Sequence, residues 1–137
     1  MRGGGRDLRF AKGYYIEPTI FDDVRNDMVI AQEEIFGPVV CIIPYNDEED
    51  AVRIANASSY GLNGSVHSTD PERAANFARK IRTGSITVNG FNLQASIPFG
   101  GFKQSGYGRV GGVEGLHPNL ETKAIYVPDR QSEPATL

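Results

Sequence analysis

The segment around Glu34 and Phe36 carries the side chains best suited to bind a small polar ligand. The two residues lie two positions apart, so in an extended segment their side chains point to the same side. Gly37 and Pro38 then stop this segment from continuing as regular structure. A carboxylate beside an aromatic face can accept hydrogen bonds from a ribose diol while the ring packs on the attached base. Spacing alone favours the simpler interpretation, a solvated acidic pair ahead of a buried phenylalanine, because glutamate is usually exposed.

Several motifs carry a resemblance to a known family. Residues 32–39 resemble the E-E-x-F-G-P motif of the NAD(P)-dependent aldehyde dehydrogenase superfamily. Further segments follow in the family's order, at residues 13–19, 55–56, 60–62, 84–89, 98–106 and 120–123. The resemblance extends from about Gly3 to Pro128. Many motifs in one order are far more specific than any one of them.

The resemblance implies a cofactor site. Glu34 would bind the hydroxyl groups of the nicotinamide ribose, since a diol presents two donors to the two carboxylate oxygens. Phe36 would lie beside the nicotinamide, and Leu62 would approach it. Packing in the core is the alternative for Phe36 and for Leu62. The implied cofactor is NAD or NADP. The choice between them stays open, because the adenosine-ribose site that distinguishes them lies upstream in the family. We do not expect this chain alone to bind either cofactor.

The loop at residues 90–99 corresponds to a wall of the family's substrate tunnel. Phe91, Leu93 and Phe99 would offer an apolar lining for the organic part of an aldehyde, as small-molecule pockets generally do. Alternatively, these residues only anchor the loop on the core. The identity of the aldehyde stays open, because the other walls of the tunnel lie outside this sequence.

The catalytic groups of the family are not expected in this chain. Its nucleophilic cysteine, its general-base glutamate and its Rossmann half all lie upstream of the E-E-x-F-G-P motif. The chain therefore resembles the C-terminal third of a longer aldehyde dehydrogenase and is predicted to be inactive alone. The alternative is a truncated or degenerate fragment without enzymatic activity, or an oligomerisation or interaction module.

Three other features invite a chemical role that we do not assign. Cys41 lies in an apolar run without a neighbouring histidine or lysine to activate it, so we interpret it as a small core residue. His67 and His117 have no metal-ligand spacing, and we predict no metal site. Residues 106–111 spell G-x-G-x-x-G, but a dinucleotide fingerprint must follow a strand and open a long helix.

Relatives often carry glutamate where this chain has Val110, which puts efficient proton release in doubt.

Composition excludes several classes of partner. The chain has 137 residues, a net charge of -3 and one cysteine. A negative net charge gives no electrostatic footprint for nucleic acid or an anionic membrane. No apolar run approaches a membrane span, and residues 1–7 lack a signal-peptide core. We therefore expect a cytoplasmic protein, and the resemblance implies a homo-oligomer, a dimer or tetramer in the complete enzyme.

The elements that position these residues alternate along the chain. Strand patterns at residues 39–44, 64–68 and 85–89 enclose two helix patterns, which begin near Asp47 and Asp70. This order predicts an α/β fold with a partial βαβαβ parallel sheet and right-handed crossovers. We predict a poorly ordered segment at 1–12, a partial catalytic domain at 13–120, an oligomerisation strand at 121–128 and a disordered tail at 129–137.

Overall fold

The computed structural model describes residues 1–7 and 9–127. Six short strands and three α-helices alternate along this part of the chain, and a 3-10 helix follows at His117–Asn119. The strands are β1 (Thr19–Phe21), β2 (Val39–Cys41), β3 (Tyr60–Gly61), β4 (Asn63–Val66), β5 (Ser85–Val88) and β6 (Phe102–Lys103). The helices are α1 (Val29–Gln32), α2 (Glu48–Asn56) and α3 (Pro71–Ala78).

Two parallel strand pairs form the framework. β1 pairs with β2, with Thr19 opposite Val39. β4 pairs with β5, with Asn63 opposite Ser85, and α3 connects them as the crossover helix and packs on both. The predicted α/β class with parallel strands is confirmed. The strands of the predicted partial βαβαβ sheet are divided between two pairs in this chain, because β2 pairs with β1 and not with β4.

The helices begin where local hydrogen bonding predicts. Asp47 caps α2 by accepting a hydrogen bond from the Asp50 backbone N–H. Asp70 caps α3 by accepting from the N–H groups of Glu72 and Arg73, and Pro71 occupies the first turn. Such caps satisfy donors that the first turn of a helix leaves unpaired. Both predicted helices are confirmed.

Acid should loosen the start of α2. The Asn46 backbone N–H and then the Arg53 guanidinium hold the pKa of Asp50 below its usual 3.8. Its contribution to stability is therefore complete above the unfolded pKa and is lost as the pH falls through the lower folded pKa. We expect Asp50→Asn to remove this part of the pH dependence of stability below about pH 4. Urea unfolding across that range measures it, with exposed Asp23→Asn as the control. Parallel pH profiles for the wild type and Asp50→Asn would contradict the assignment.

The core of the described chain is small. Its buried apolar residues are Val24, Ala74 and Ala78, the last two on the inner face of α3. The apolar run at 39–43 alternates between half-buried and exposed residues, and Val40 is exposed. A second covering layer is absent among the described residues, so the outward face of β2 stays in contact with solvent.

Three terminal features complete the outline. Arg2 and Arg6, in the segment predicted to be poorly ordered, form isolated antiparallel bridges to Ile20 and Ile16. Residues 121–127 form no strand within the described chain, because no other segment there pairs with them. Pro118 lies in the first turn of the 3-10 helix, where a proline is tolerated. The predicted tail at 129–137 lies outside the described residues.

Candidate functional site

A cavity of about 670 Å³ opens between the segment after α1 and the β4–α3–β5 unit. This volume is in the range of small-molecule sites. Its lining includes three of the residues singled out by the sequence: Glu34, Phe36 and Leu62. The remaining lining comes from Ala31, Gln32, Glu33, Ala55, Ser58, Tyr60, Gly61, Asn63, Gly64, Ser65, Val66, Phe77, Ile81, Arg82, Thr83, Ile86, Gln104 and Ser105.

The end of α1 and the turn at Gly37 position the first wall. Glu33 leaves the helix in an extended conformation, with its N–H donating to the Val29 carbonyl at 2.9 Å. Gly37 N–H then donates to the Ile35 carbonyl, and β2 begins at Val39. Between these two hydrogen bonds, Glu34 and Phe36 project into solvent at the cavity.

Glu34 and Phe36 are both available to a ligand. The ion pairs among the described residues join other side chains, namely Asp7–Arg9, Asp27–Arg25, Asp50–Arg53 and Glu48–Arg73. The exposed Glu34 carboxylate therefore has no ion-pair partner among the described residues. The Phe36 ring is 95% exposed, so it does not pack in a core of this chain. An accessible carboxylate two residues from an accessible ring fits a diol attached to a planar base.

The opposite wall is the strand β3 and the residue after it. β3 pairs with β6, with Gly61 opposite Phe102. A Cβ atom at Gly61 would lie 2.6 Å from the Arg82 carbonyl oxygen, so only glycine permits this approach. Leu62 follows at the cavity surface and remains 41% exposed, rather than packing fully in a core.

The predicted tunnel residues do not line this cavity. Phe91 and Leu93 are exposed in the loop after β5, at 77% and 62%. Phe99 is half-buried and forms an antiparallel bridge with Val110. The structure therefore brings together the three predicted cofactor residues and leaves the three predicted substrate residues elsewhere on the chain.

Sequence reasoning missed several polar groups at the cavity. Ser105 Oγ accepts a hydrogen bond from the Gly61 N–H at 2.9 Å and so holds β3 in place. Thr83 Oγ1 is buried with no hydrogen-bond partner among the described residues. Ser105 lies in the motif at 98–106, but nothing in the local pattern indicates that it contacts a residue 44 positions earlier.

The residues that we set aside as chemical groups lie apart from this cavity. Cys41 is half-buried in β2, and its thiol donates weakly to the Ile30 carbonyl at 3.6 Å. Residues 106–111 occupy the loop after β6, and the next helical turn is the 3-10 helix at His117–Asn119. This stretch therefore lacks the strand–turn–helix geometry of a dinucleotide fingerprint. Within residues 1–7 and 9–127, no group of three His, Cys, Asp or Glu could hold a metal.

None of the helices in the described part of the chain is both long and apolar enough to cross a membrane.

Comparison with known proteins identifies relatives over most of this chain. The sequence model of the Aldehyde dehydrogenase family matches residues 1–125. A 3-succinoylsemialdehyde-pyridine dehydrogenase from a Pseudomonas species is 52% identical over 123 residues, which are 90% of this chain and 26% of the relative. A geranial dehydrogenase from Castellaniella defragrans is 46% identical over 125 residues, 91% of this chain and 26% of the relative.

Solved structures agree with the sequence relatives. An aldehyde dehydrogenase from Mycobacterium tuberculosis, crystallised with NAD+, is 47% identical and superposes with a TM-score of 0.89. The superposition covers 96% of this chain and 27% of that protein. A mutant aldehyde dehydrogenase from Pseudomonas syringae, crystallised with NAD+ and octanal, gives a TM-score of 0.85 at 47% identity, over 90% of this chain and 26% of that protein.

The chain spans about a quarter of the length of the curated relatives it matches. Within that quarter, the family match covers the α1–β2 segment, the β4–α3–β5 unit and both walls of the cavity. The expected resemblance is thereby confirmed, and the chain belongs to the aldehyde dehydrogenase family.

Proposed function

We propose that this chain supplies the nicotinamide-ribose contact and part of the substrate tunnel of an NAD(P)-dependent aldehyde dehydrogenase. The complete enzyme oxidises an aldehyde to a carboxylic acid. The observation that supports this proposal most directly is that Glu34, Phe36 and Leu62 border one cavity. When bound, the dinucleotide supplies the hydride acceptor for the oxidation.

Each of these three residues has a defined part in holding the cofactor. Glu34 accepts hydrogen bonds from the ribose diol with its two carboxylate oxygens, and charge makes such bonds strong. Phe36 and Leu62 present apolar surface to the nicotinamide from the two walls and exclude water from one of its faces. The cysteine of this chain, Cys41, lies in β2 and is absent from the cavity lining.

We assign Phe91, Leu93 and Phe99 to the tunnel for the organic part of the aldehyde. Because these residues are absent from the cavity lining, they are available to contact a ligand other than the cofactor. The exposure of Phe91 and Leu93 leaves apolar surface that the rest of a tunnel would cover. The remaining walls would come from polypeptide outside this sequence.

We further propose that residues 121–127 pair with another subunit of a homo-oligomer. Ile125, Tyr126 and Val127 are largely exposed here and make no strand contact within the described chain. An extended apolar segment with unpaired backbone groups is suited to add to a sheet edge.

A chimeric enzyme tests the proposed function. Residues 1–137 would replace the matching region of the 3-succinoylsemialdehyde-pyridine dehydrogenase. We expect NAD(P)+-dependent oxidation of an aldehyde by the chimera, because the relative provides the parts that this chain does not contain. The isolated chain should show no turnover, since a covalent mechanism needs an activated nucleophile. Formation of reduced cofactor measures both. A folded chimera without activity would overturn the proposal.

A further inference from the structure

We propose that Lys103, together with Asn56, is a positioning residue for the cofactor cavity, acting through the wall formed by β3 and Leu62. Neither residue touches the first wall of the cavity, and neither is among its lining residues. This inference rests on the proposed function, because it assigns the cavity to the nicotinamide nucleoside. A half-buried hydrogen-bond network of Lys103 and Asn56, called the lock below, lies outside the cavity lining and sets the distance between the two walls.

The lock begins with the ammonium group of Lys103. Its Nζ donates to the Asn56 carbonyl at 2.9 Å and to the Ser58 carbonyl at 2.8 Å. Asn56 is the last residue of α2, where carbonyl groups lack partners within the helix and the helix dipole is negative. A partly buried cation therefore ties β6 to the end of α2.

The side chain of Asn56 makes the second part of the lock. Its Nδ2 donates to the Lys80 carbonyl at 2.9 Å, and its Oδ1 accepts from the Arg82 N–H at 2.7 Å. The Asn56 amide therefore pairs with one backbone carbonyl (Lys80) and one backbone N–H (Arg82) in the turn that follows α3. Through Asn56 the ends of both helices are fixed to each other and, through Lys103, to β6.

The wall of the cavity lies directly after this lock. Tyr60 pairs with Lys103 in the β3–β6 ladder, and the Gln104 N–H donates to the Ser59 carbonyl at 3.0 Å. Leu62 accepts from the Ser85 N–H on the other side. Displacing the end of α2 would therefore move Leu62 relative to Glu34.

The backbone of Lys103 supports a specific role for its side chain. Its φ of 54° lies in the left-handed region, which costs energy for residues other than glycine. Glycine or asparagine would adopt this conformation more readily. The two hydrogen bonds of the ammonium group, each from a charged donor, offset part of this cost for a lysine.

Removal of the ammonium group tests the proposal in the chimeric enzyme. We expect Lys103→Met to raise the KM for NAD+ roughly tenfold. The substitution removes two hydrogen bonds of a charged group that hold the β3 wall in position, and such bonds are stronger than neutral ones. The KM for the aldehyde should change less than about twofold, because Phe91, Leu93 and Phe99 lie outside the cavity. Lys103→Gln, which keeps amide donors on a shorter side chain, should raise the KM for NAD+ by a smaller factor and serves if Lys103→Met does not fold.

Two controls separate positioning from stability. Lys12→Met removes an exposed lysine remote from the cavity and should leave both KM values unchanged. Val24→Ala shortens a buried side chain that is absent from the cavity lining, and it should lower thermal stability without raising the KM for NAD+ selectively.

The outcomes distinguish this inference from the function on which it rests. An inactive but folded chimera would overturn the proposed function and this inference with it. An active chimera in which Lys103→Met leaves the KM for NAD+ unaltered would overturn the inference alone. Equal changes in both KM values, matched by Val24→Ala, would assign Lys103 to general stability and also overturn the inference.

Discussion

Replacing Glu34 by alanine should weaken NAD+ binding to the chimeric enzyme by roughly 10- to 100-fold. The estimate follows from the loss of hydrogen bonds to a charged acceptor, about 1.5–3 kcal/mol, where 1.4 kcal/mol corresponds to a factor of ten in affinity. Glu34→Gln retains one acceptor oxygen without the charge and should have an intermediate effect. Isothermal titration calorimetry with NAD+ measures the dissociation constants directly, without interference from the chemical step.

Glu114→Gln is the matched control for this prediction. Glu114 is exposed in the turn before the 3-10 helix and is absent from the cavity lining. The Glu114→Gln variant should bind NAD+ as tightly as the unaltered chimera does. This result would show that the weaker binding of Glu34→Ala does not arise from the loss of one negative charge. An unchanged dissociation constant for Glu34→Ala would remove the central residue from the proposed site.

The start of each long helix could be predicted because its determinants are local. Asp47 and Asp70 accept hydrogen bonds from residues two or three positions later, so the sequence contains both donor and acceptor in one short window. The placement of Glu34 and Phe36 at one cavity has the same local origin. Their common direction follows from their spacing once the segment is extended.

Strand pairing could not be predicted as reliably, because it depends on contacts between distant segments. The run at 39–43 is apolar throughout, and this pattern does not specify which strand will be its neighbour. β2 pairs with β1, while β4 and β5 form a separate pair across α3. The sequence therefore predicted β2, β4 and β5 and the helices α2 and α3, but it joined the three strands into one sheet.

The residues that hold the site together could not be predicted for the same reason, because their partners are distant in sequence. Ser105 and Lys103 hold the β3 wall through partners 44 and 45 to 47 positions away. No helical or strand period relates residues at such separations. Phe91 and Leu93 illustrate the opposite case, because they are close in sequence to the motif at 98–106, and Phe99 lies within it, yet all three are absent from the cavity lining.

Gly84→Ala should have the largest effect on folding of any single substitution considered. A Cβ atom at Gly84 would lie 1.6 Å from the Gly100 carbonyl oxygen and 2.8 Å from its carbonyl carbon. Both atoms belong to the backbone, so no side-chain rotation relieves the overlap, and the segments at Gly84 and Gly100 must separate. Because overpacking that forces backbone shifts costs about 1–3 kcal/mol or more, we expect a loss at the upper end of that range. Urea unfolding of the chimera, followed by circular dichroism, measures it.

Gly90→Ala provides the matched comparison, because its Cβ would come no closer than 4.0 Å to Thr87 Cγ2. It should change stability by less than about 0.5 kcal/mol or raise it slightly, since alanine restricts the unfolded chain. The Gly84 N–H also donates to the Gly61 carbonyl at 3.0 Å, so the close approach to Gly100 fixes β3 at the cavity. A folded Gly84→Ala variant should therefore also bind NAD+ more weakly. Equal unfolding midpoints for the two alanine variants would contradict the close packing of β5 against the loop at Gly100.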